Sequence, residues 1–431
     1  MRSFPLLIAS VFVLGTTALS AVAATPWPAR VGRVSLAETG ASLRPIGGEW
    51  ADAVPNEPVA AGTSIRSGKE GRAEFRLSGI AVTLAPETTV DIVRLDDAAV
   101  QLALPSGHVD LAVEGRNAAS LEIDTAEGPV HVDGPGRYGI DAAKGLVGKL
   151  AAPDSAAVPD QVPATMPGAA ALAANGDWER SEIGAIWYPK DLPAGWTPFR
   201  DGSWRYLQPW GWTWVDAAPW GFAPSHYGRW ARVGDRWGWA PGSGAVTDFE
   251  PAGVAFLGTP EIGLSYAGGS GPAVAWFPLA PGESYWPADK GDPPATLVTA
   301  AYAYRRFASA VPRAIFVGGK PVAAALVDIP DRRLDVVPVI PGSPKLAPPA
   351  PKLVAALPPI RPAKPAVPRV LASAPAKRAP AKIALDAPAH PRAKHVAGAH
   401  HPHARPAKVA TAPPHPDHGR HVAEARHILR Q

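Results

Sequence analysis

Between Arg30 and Gly145, apolar and polar residues alternate in short runs. Ala73-Glu-Phe75-Arg-Leu77, Val90-Asp-Ile92, Val100-Gln-Leu102-Ala-Leu104, Val109-Asp-Leu111-Ala-Val113 and Leu121-Glu-Ile123 all keep the two-residue period of a strand with one buried face. Ser78-Gly79, Ala85-Pro86, Pro105-Ser-Gly107 and Gly134-Pro-Gly136 punctuate them. Strands recurring every ~8–12 residues predict an all-β sandwich, barrel or stacked-sheet domain over residues 24–150.

The pattern then changes three times. Residues 151–175 are rich in Ala, Pro and small polar residues and are expected to be a linker. Residues 176–250 hold too much Gly and Pro for helix and a dense set of tryptophans. Strand-like runs return in residues 251–340, as Val254-Ala-Phe-Leu257 and Ala273-Val-Ala-Trp-Phe277, and this segment is expected to pack with the Trp-rich part. A short helix is expected near Pro294 to Phe307. Residues 341–431 contain nineteen Pro among 91 residues and no Phe, Trp or Tyr. Such a segment buries too little apolar surface to offset chain entropy, so a disordered tail is expected. The fold class predicted is therefore mainly β with a disordered C-terminal tail.

Composition adds a compartment. Arg2 followed by an apolar run from Phe4 to Leu19 and Ala21-Val22-Ala23 has the form of a signal peptide over residues 1–23. Cleavage after Ala23 implies a periplasmic or secreted protein, with no transmembrane segment expected in the mature chain. The chain has no cysteine, which excludes thiolate nucleophiles, zinc–thiolate sites and iron–sulfur clusters. The net charge of +4 conceals an asymmetry: from Pro341 onward fifteen Lys/Arg face three Asp/Glu, and the body before it is acidic. A basic tail in that compartment points to an anionic envelope surface as partner, and export argues against nucleic acid.

Particular motifs of the β-domain resemble the FecR periplasmic domain. They are Val31-Gly-Arg-Val34, Asn56-Glu-Pro58, Gly62-Thr-Ser-Ile65, Arg72-Ala-Glu-Phe75, Leu84-Ala-Pro-Glu-Thr-Thr-Val90, Leu104-Pro-Ser-Gly107 and Gly134-Pro-Gly-Arg-Tyr138-Gly-Ile-Asp141. The tryptophan region, with Tyr227-Gly-Arg-Trp230, looks like a proteobacterial Trp-rich domain of unknown function that often follows a FecR-like domain. FecR regulators resemble anti-sigma proteins with a membrane span ahead of this domain. A cleavable leader stands in that place here, so the signalling role does not carry over.

Eleven of the fifteen tryptophans fall between Trp178 and Trp239, and they repeat. Trp196 matches Trp220, Gly202-Ser-Trp204 matches Gly228-Arg-Trp230, and Trp210-Gly-Trp212 matches Trp237-Gly-Trp239. Trp196, Trp204, Trp220, Trp230, Trp239, Gly202 and Gly228 are thus expected to be structural. Large rings are the natural core of a small unit poor in aliphatics. The alternative is an aromatic platform for a cell-wall glycan or an envelope protein, built from Trp210, Trp212 and Trp214. Trp214 falls opposite Pro241 in this alignment and is expected to be more exposed than Trp204 and Trp230. Arg205, Arg229, Arg232 and Arg236 stand among the rings, where cation–π contacts would tie the unit together.

Catalytic signals are sparse. Asp201, Asp216, Asp235 and Glu283 are the carboxylates a cell-wall hydrolase would need, and turn or surface roles explain them equally well. His226 follows Ser225 without a nucleophile elbow and is expected to be a structural histidine. Nine histidines lie in the tail, of which His400, His401 and His403 are the closest to a metal-binding set, and a solvated polybasic tail accounts for them. No catalytic residue, cofactor or dedicated metal site is expected. The sequence therefore predicts a non-enzymatic, exported envelope protein that binds or scaffolds through its Trp-rich region, with a divergent hydrolase as the alternative.

Overall fold

The computed structural model describes residues 27–28, 30–77, 79–114, 119–151, 157–242, 249–258, 272–330 and 334–347. The expected leader and the tail histidines lie outside these residues. The described chain is mainly β, in mostly antiparallel sheets. None of its helices is long and apolar enough to cross a membrane.

The alternating runs of the first 150 residues form two seven-stranded sheets. In order across the first sheet stand Gly145–Leu150, Gly136–Asp141, His108–Val113, Ile80–Leu84, Ala73–Leu77, Gly32–Ala37 and Pro58–Val59. The second runs Gly128–Val132, Ser120–Thr125, Ala99–Ser106, Thr89–Leu95, Ser64–Arg66, Ser42–Arg44 and Ala51–Asp52. One pair, Ala99–Ser106 with Ser120–Thr125, is parallel. Phe75, Val82 and Leu111 of the first sheet and Ile65, Ile92 and Leu102 of the second share one buried cluster, so the sheets make a sandwich. Gly107 shows why the turns need glycine. Its φ is +86°, and a Cβ there would lie 2.2 Å from Thr88 Oγ1.

Residues 157–175 are not a linker, contrary to the sequence expectation. Val162, Met166, Ala169 and Leu172 are buried in the aromatic core, and Ala169–Asn175 is a helix. An Ala- and Pro-rich composition suits a flexible linker, but Ala is the best helix former, and here one face of the helix is covered by the aromatic core. The expected helix near Pro294 reduces to two short turns, Ala295–Val298 and Arg305–Phe307. The tail boundary also moves. Pro341 accepts from the Trp286 amide, Ser343 Oγ from that of Trp212, and Leu346 is buried in the core. The described part of the segment, residues 341–347, thus belongs to the body.

The sandwich and the Trp-rich part are joined by a polar lock. Asn56 is 1 % exposed, and its Nδ2 donates to Asp216 O (3.1 Å) and Ala218 O (2.7 Å) while Oδ1 accepts from Arg33 Nη1 (3.0 Å). Its φ of +64° is one that Asn tolerates better than other non-glycine residues. Beside it, Arg205 Nη1 donates to Asp52 O and stands 3.5 Å from buried Glu57 Oε1. Burial pushes the Glu57 carboxyl up, against the pull of Arg205. Val31 and Ala60 of the sandwich also belong to the aromatic core.

Candidate functional site

The tryptophans are organised by hairpins. The first pairs Gly176–Ser181 with Gly184–Pro189, the second Gly202–Leu207 with Gly211–Asp216, and the third Arg229–Val233 with Arg236–Ala240. A fourth pairs Val254–Leu257 with Ala273–Pro278. Each places two aromatics opposite one another: Trp178 and Trp187, Trp204 and Trp214, Trp230 and Trp239, Phe256 and Trp276. The first members of these pairs are 26 residues apart throughout, from Trp178 through Trp204 and Trp230 to Phe256. Two of these four units, those of Trp204 and Trp230, show in the sequence as matched tryptophans.

Gly-x-Trp opens three of them, and sterics give the reason. A Cβ on Gly176 would lie 2.3 Å from Trp187 Cε2, and one on Gly202 would lie 2.6 Å from Trp214 Cζ2. In these two units the missing side chain makes room for the partner strand's indole. At Gly228 the constraint is backbone: φ is +60° and a Cβ would meet Ala240 O at 2.2 Å.

The partner indoles also find acceptors. Trp187 Nε1 donates to Leu172 O (3.0 Å), Trp214 Nε1 to Asp216 Oδ2 (2.9 Å), Trp239 Nε1 to Tyr227 O (2.7 Å) and Trp276 Nε1 to Phe199 O (3.0 Å). Trp178, Trp204 and Trp210 instead have buried Nε1 atoms with no hydrogen-bond partner among the described residues.

The rings form a core. Nine of the eleven clustered tryptophans are buried, and only Trp178 and Trp196 keep partial exposure. Trp204 packs against Trp214 (5.4 Å), Phe256 (5.1 Å), Trp276 (5.4 Å) and Phe316 (5.2 Å). The expectation that Trp214 is the more exposed ring is wrong: its exposure is 0 %, equal to Trp204 and below the 3 % of Trp230. Trp210 and Trp212, at 2 % and 1 %, are also closed to a ligand. The error lies in register. The second hairpin turns through three residues, between Leu207 and Gly211, and the third through two, between Val233 and Arg236. Trp212 and Trp214 therefore correspond to Trp237 and Trp239, and Trp210 sits in the longer turn against Phe249 (4.9 Å).

Residues 169–283 match the Family of unknown function (DUF6600). The match opens at the first residue of the Ala169–Asn175 helix and spans all four hairpins. Comparison with curated proteins and with solved structures found no match.

The catalytic candidates do not converge. Asp235 is 99 % exposed in a turn and pairs with Arg232. Asp216 is buried, bonded to Trp214 and to the Ala218 amide; burial lifts its carboxyl to about 6, against those bonds. Glu283 alone reaches a cleft of about 760 Å³ beside the third hairpin, walled also by Tyr227, Arg229, Pro241, Glu250 and Tyr285. Its oxygens accept from the amides of Ala280 and Ala303, both at 2.8 Å. Across the cleft, Arg229 holds Glu250 with two bonds of 2.8 Å and donates through Nε to Glu283 O. Burial raises the tyrosines Tyr227 and Tyr285. Arg229 thus joins the third hairpin to Glu250 and to the Glu283 main chain, while the Glu283 carboxylate ties its own turn to Ala303.

His226 is 1 % exposed, bonded through Nδ1 to Glu250 O (2.8 Å) and stacked on Phe249. Burial holds it down at about 4 against its backbone bonds. Ser225 Oγ reaches Asp216 rather than His226. No group of metal-ligating residues occurs among the described residues. The arginines among the rings stack elsewhere: Arg232 on Phe307 and Arg236 on Tyr188. The cations seen over tryptophan are Arg44 and Arg66 on Trp50, and Lys290 on Trp286.

Proposed function

We propose that this protein is an exported, non-catalytic scaffold of the cell envelope, with a FecR-like sandwich fixed to a Trp-rich module and a basic tail that meets anionic surfaces. The observation that carries the reading is the burial of the tryptophan cluster. Rings that fill a core give rigidity and are closed to sugar stacking. The buried lock at Asn56 serves the same end, because it fixes one module on the other. What supports export is the leader-like start and the lack of cysteine. The FecR-like assignment rests on the sandwich's motifs. A partner meeting the Trp-rich part would do so at the cleft rim, around Pro241, Gly282 and Ser284.

What weighs against the hydrolase alternative is that Asp216 is sealed, Glu283 accepts from two amides, and Asp201 and Asp235 stand exposed. Purified full chain should be incubated with isolated cell-wall polymer, and released soluble fragments and new reducing ends measured. The scaffold reading expects none above a heat-denatured control. Release that Glu283→Gln abolishes would replace it with the hydrolase.

A further inference from the structure

On the outer face of the second sheet, two cations share one indole. Arg44 and Arg66 end the neighbouring strands Ser42–Arg44 and Ser64–Arg66. Their guanidinium carbons lie 5.1 and 4.3 Å from the centroid of Trp50, which directly precedes the edge strand Ala51–Asp52. Arg44 Nη2 donates to Ser64 Oγ at 2.9 Å. Arg44 is exposed, and Arg66 and Trp50 are half-buried, so all three reach solvent. Arg72, Arg76 and Arg94 of the same sandwich each hold a carboxylate. Arg44 and Arg66 make no ion pair among the described residues. The acidic side chains nearest in chain and register are Glu49, beside Trp50, Asp52, two residues after Trp50 and opposite Ser42, and Asp91, opposite Ser64 on the next strand.

Two guanidinium groups held on one indole repel, and the ring's negative face offsets only part of that. The indole and Ser64 restrict their freedom, which lowers the ordering cost of gripping a ligand. A guanidinium fork matches oxyanions with two parallel bonds. Two forks offer more donors than the two oxygens of a carboxylate can use. A phosphate ester, with three acceptor oxygens and a charge near −2, takes both. We propose that Arg44, Trp50 and Arg66 form a phosphate-binding site, with the arginines as ligands and Trp50 as the surface that orients them. The site requires neither export nor a scaffolding role, so it stands or falls separately from them.

The test uses the full chain and acrylamide quenching, with the Trp50 signal taken as the difference between wild type and Trp50→Phe. The basic segment from Pro341 contains no tryptophan, so anions gathered there do not enter this signal. Inorganic phosphate, replacing chloride at constant ionic strength, should protect Trp50 saturably. Arg44→Gln with Arg66→Gln should weaken that protection about tenfold or more, as loss of charge-assisted bonds implies. Should the double variant fold poorly, single Arg→Lys changes keep the charge and remove the fork, and should weaken binding several-fold. Vesicles of phosphatidic acid in phosphatidylcholine, which display a phosphomonoester headgroup, form the second arm. Arginine-dependent protection by vesicles but not by free phosphate would assign the site to a lipid headgroup. No protection in either arm, equal protection in the arginine variants, or equal protection by phosphatidylcholine alone would overturn the proposal.

Discussion

At the scale of single residues, each tryptophan's worth depends on its indole N–H. Trp204 and Trp214 face each other with no exposed surface, yet one N–H is unpaired and the other bonds Asp216. Replacing either by Ala should cost about 3–5 kcal/mol. Replacement by Phe should separate them in urea melts. Trp204→Phe sheds an unsatisfied donor and should be the milder change. Trp214→Phe should cost about 1.5–3 kcal/mol for the lost bond to a carboxylate, and should raise Asp216 further. Equal losses would contradict the hydrogen-bond assignment. Asp216 and His226 also give opposite responses to acid. His226 sits at about 4, below the 6.5 of an unfolded histidine, so its contribution is intact above pH 6.5 and lost as pH falls towards 4. Asp216 sits at about 6, above the ordinary 3.8, so its contribution is full below 3.8 and lost as pH rises through 6. Between pH 6 and 4 the two should largely cancel. Asp216→Asn should therefore lose stability across that window relative to wild type, and His226→Gln should gain it, by up to about 1.4 kcal/mol per pH unit. Chemical denaturation at four pH values checks both signs.

At the scale of elements, the strands were legible because one-sided burial writes itself as alternation, as in Val109-Asp-Leu111-Ala-Val113. The hairpin repeat was half legible. Gly202-Ser-Trp204 and Gly228-Arg-Trp230 stood out, but Gly176-Asp-Trp178 did not, because its hairpin carries few further tryptophans. The fourth unit was hidden by Phe256 in place of tryptophan. Register could not be read, since a one-residue difference in turn length moves every cross-strand partner. The junction was illegible for another reason: Asn56 looked like family pattern, and its partners lie some 160 positions away. That junction is testable. Asn56→Ala should cost about 3 kcal/mol or more, from two lost donors to buried carbonyls and one acceptor for Arg33. Asn56→Gly should recover about 1 kcal/mol of this by accepting the positive φ. In both, calorimetry should show the sandwich and the Trp-rich module melting apart. A single unchanged transition would mean the shared apolar contacts suffice.

At the scale of the whole molecule, the body ends later than its composition suggests. Leu346 is buried, and its carbonyl accepts the Trp212 indole N–H at 3.0 Å. A chain cut before Pro348 should melt within a few degrees of the full chain. A cut before Pro341 should melt clearly lower, since it orphans a buried indole and opens the core beside Phe316. Equal midpoints would show that this clasp is dispensable. The same clasp bears on the order of events during synthesis. Residues 343–346 must return over more than 130 positions to close on Trp212, and Val31 and Ala60 join that core from the other end. Contacts so distant form late. The aromatic core thus stays incomplete until nearly the whole body has emerged, whereas the sandwich, whose core closes within residues 34–142, has all its parts long before, so the first module can wait folded for the second.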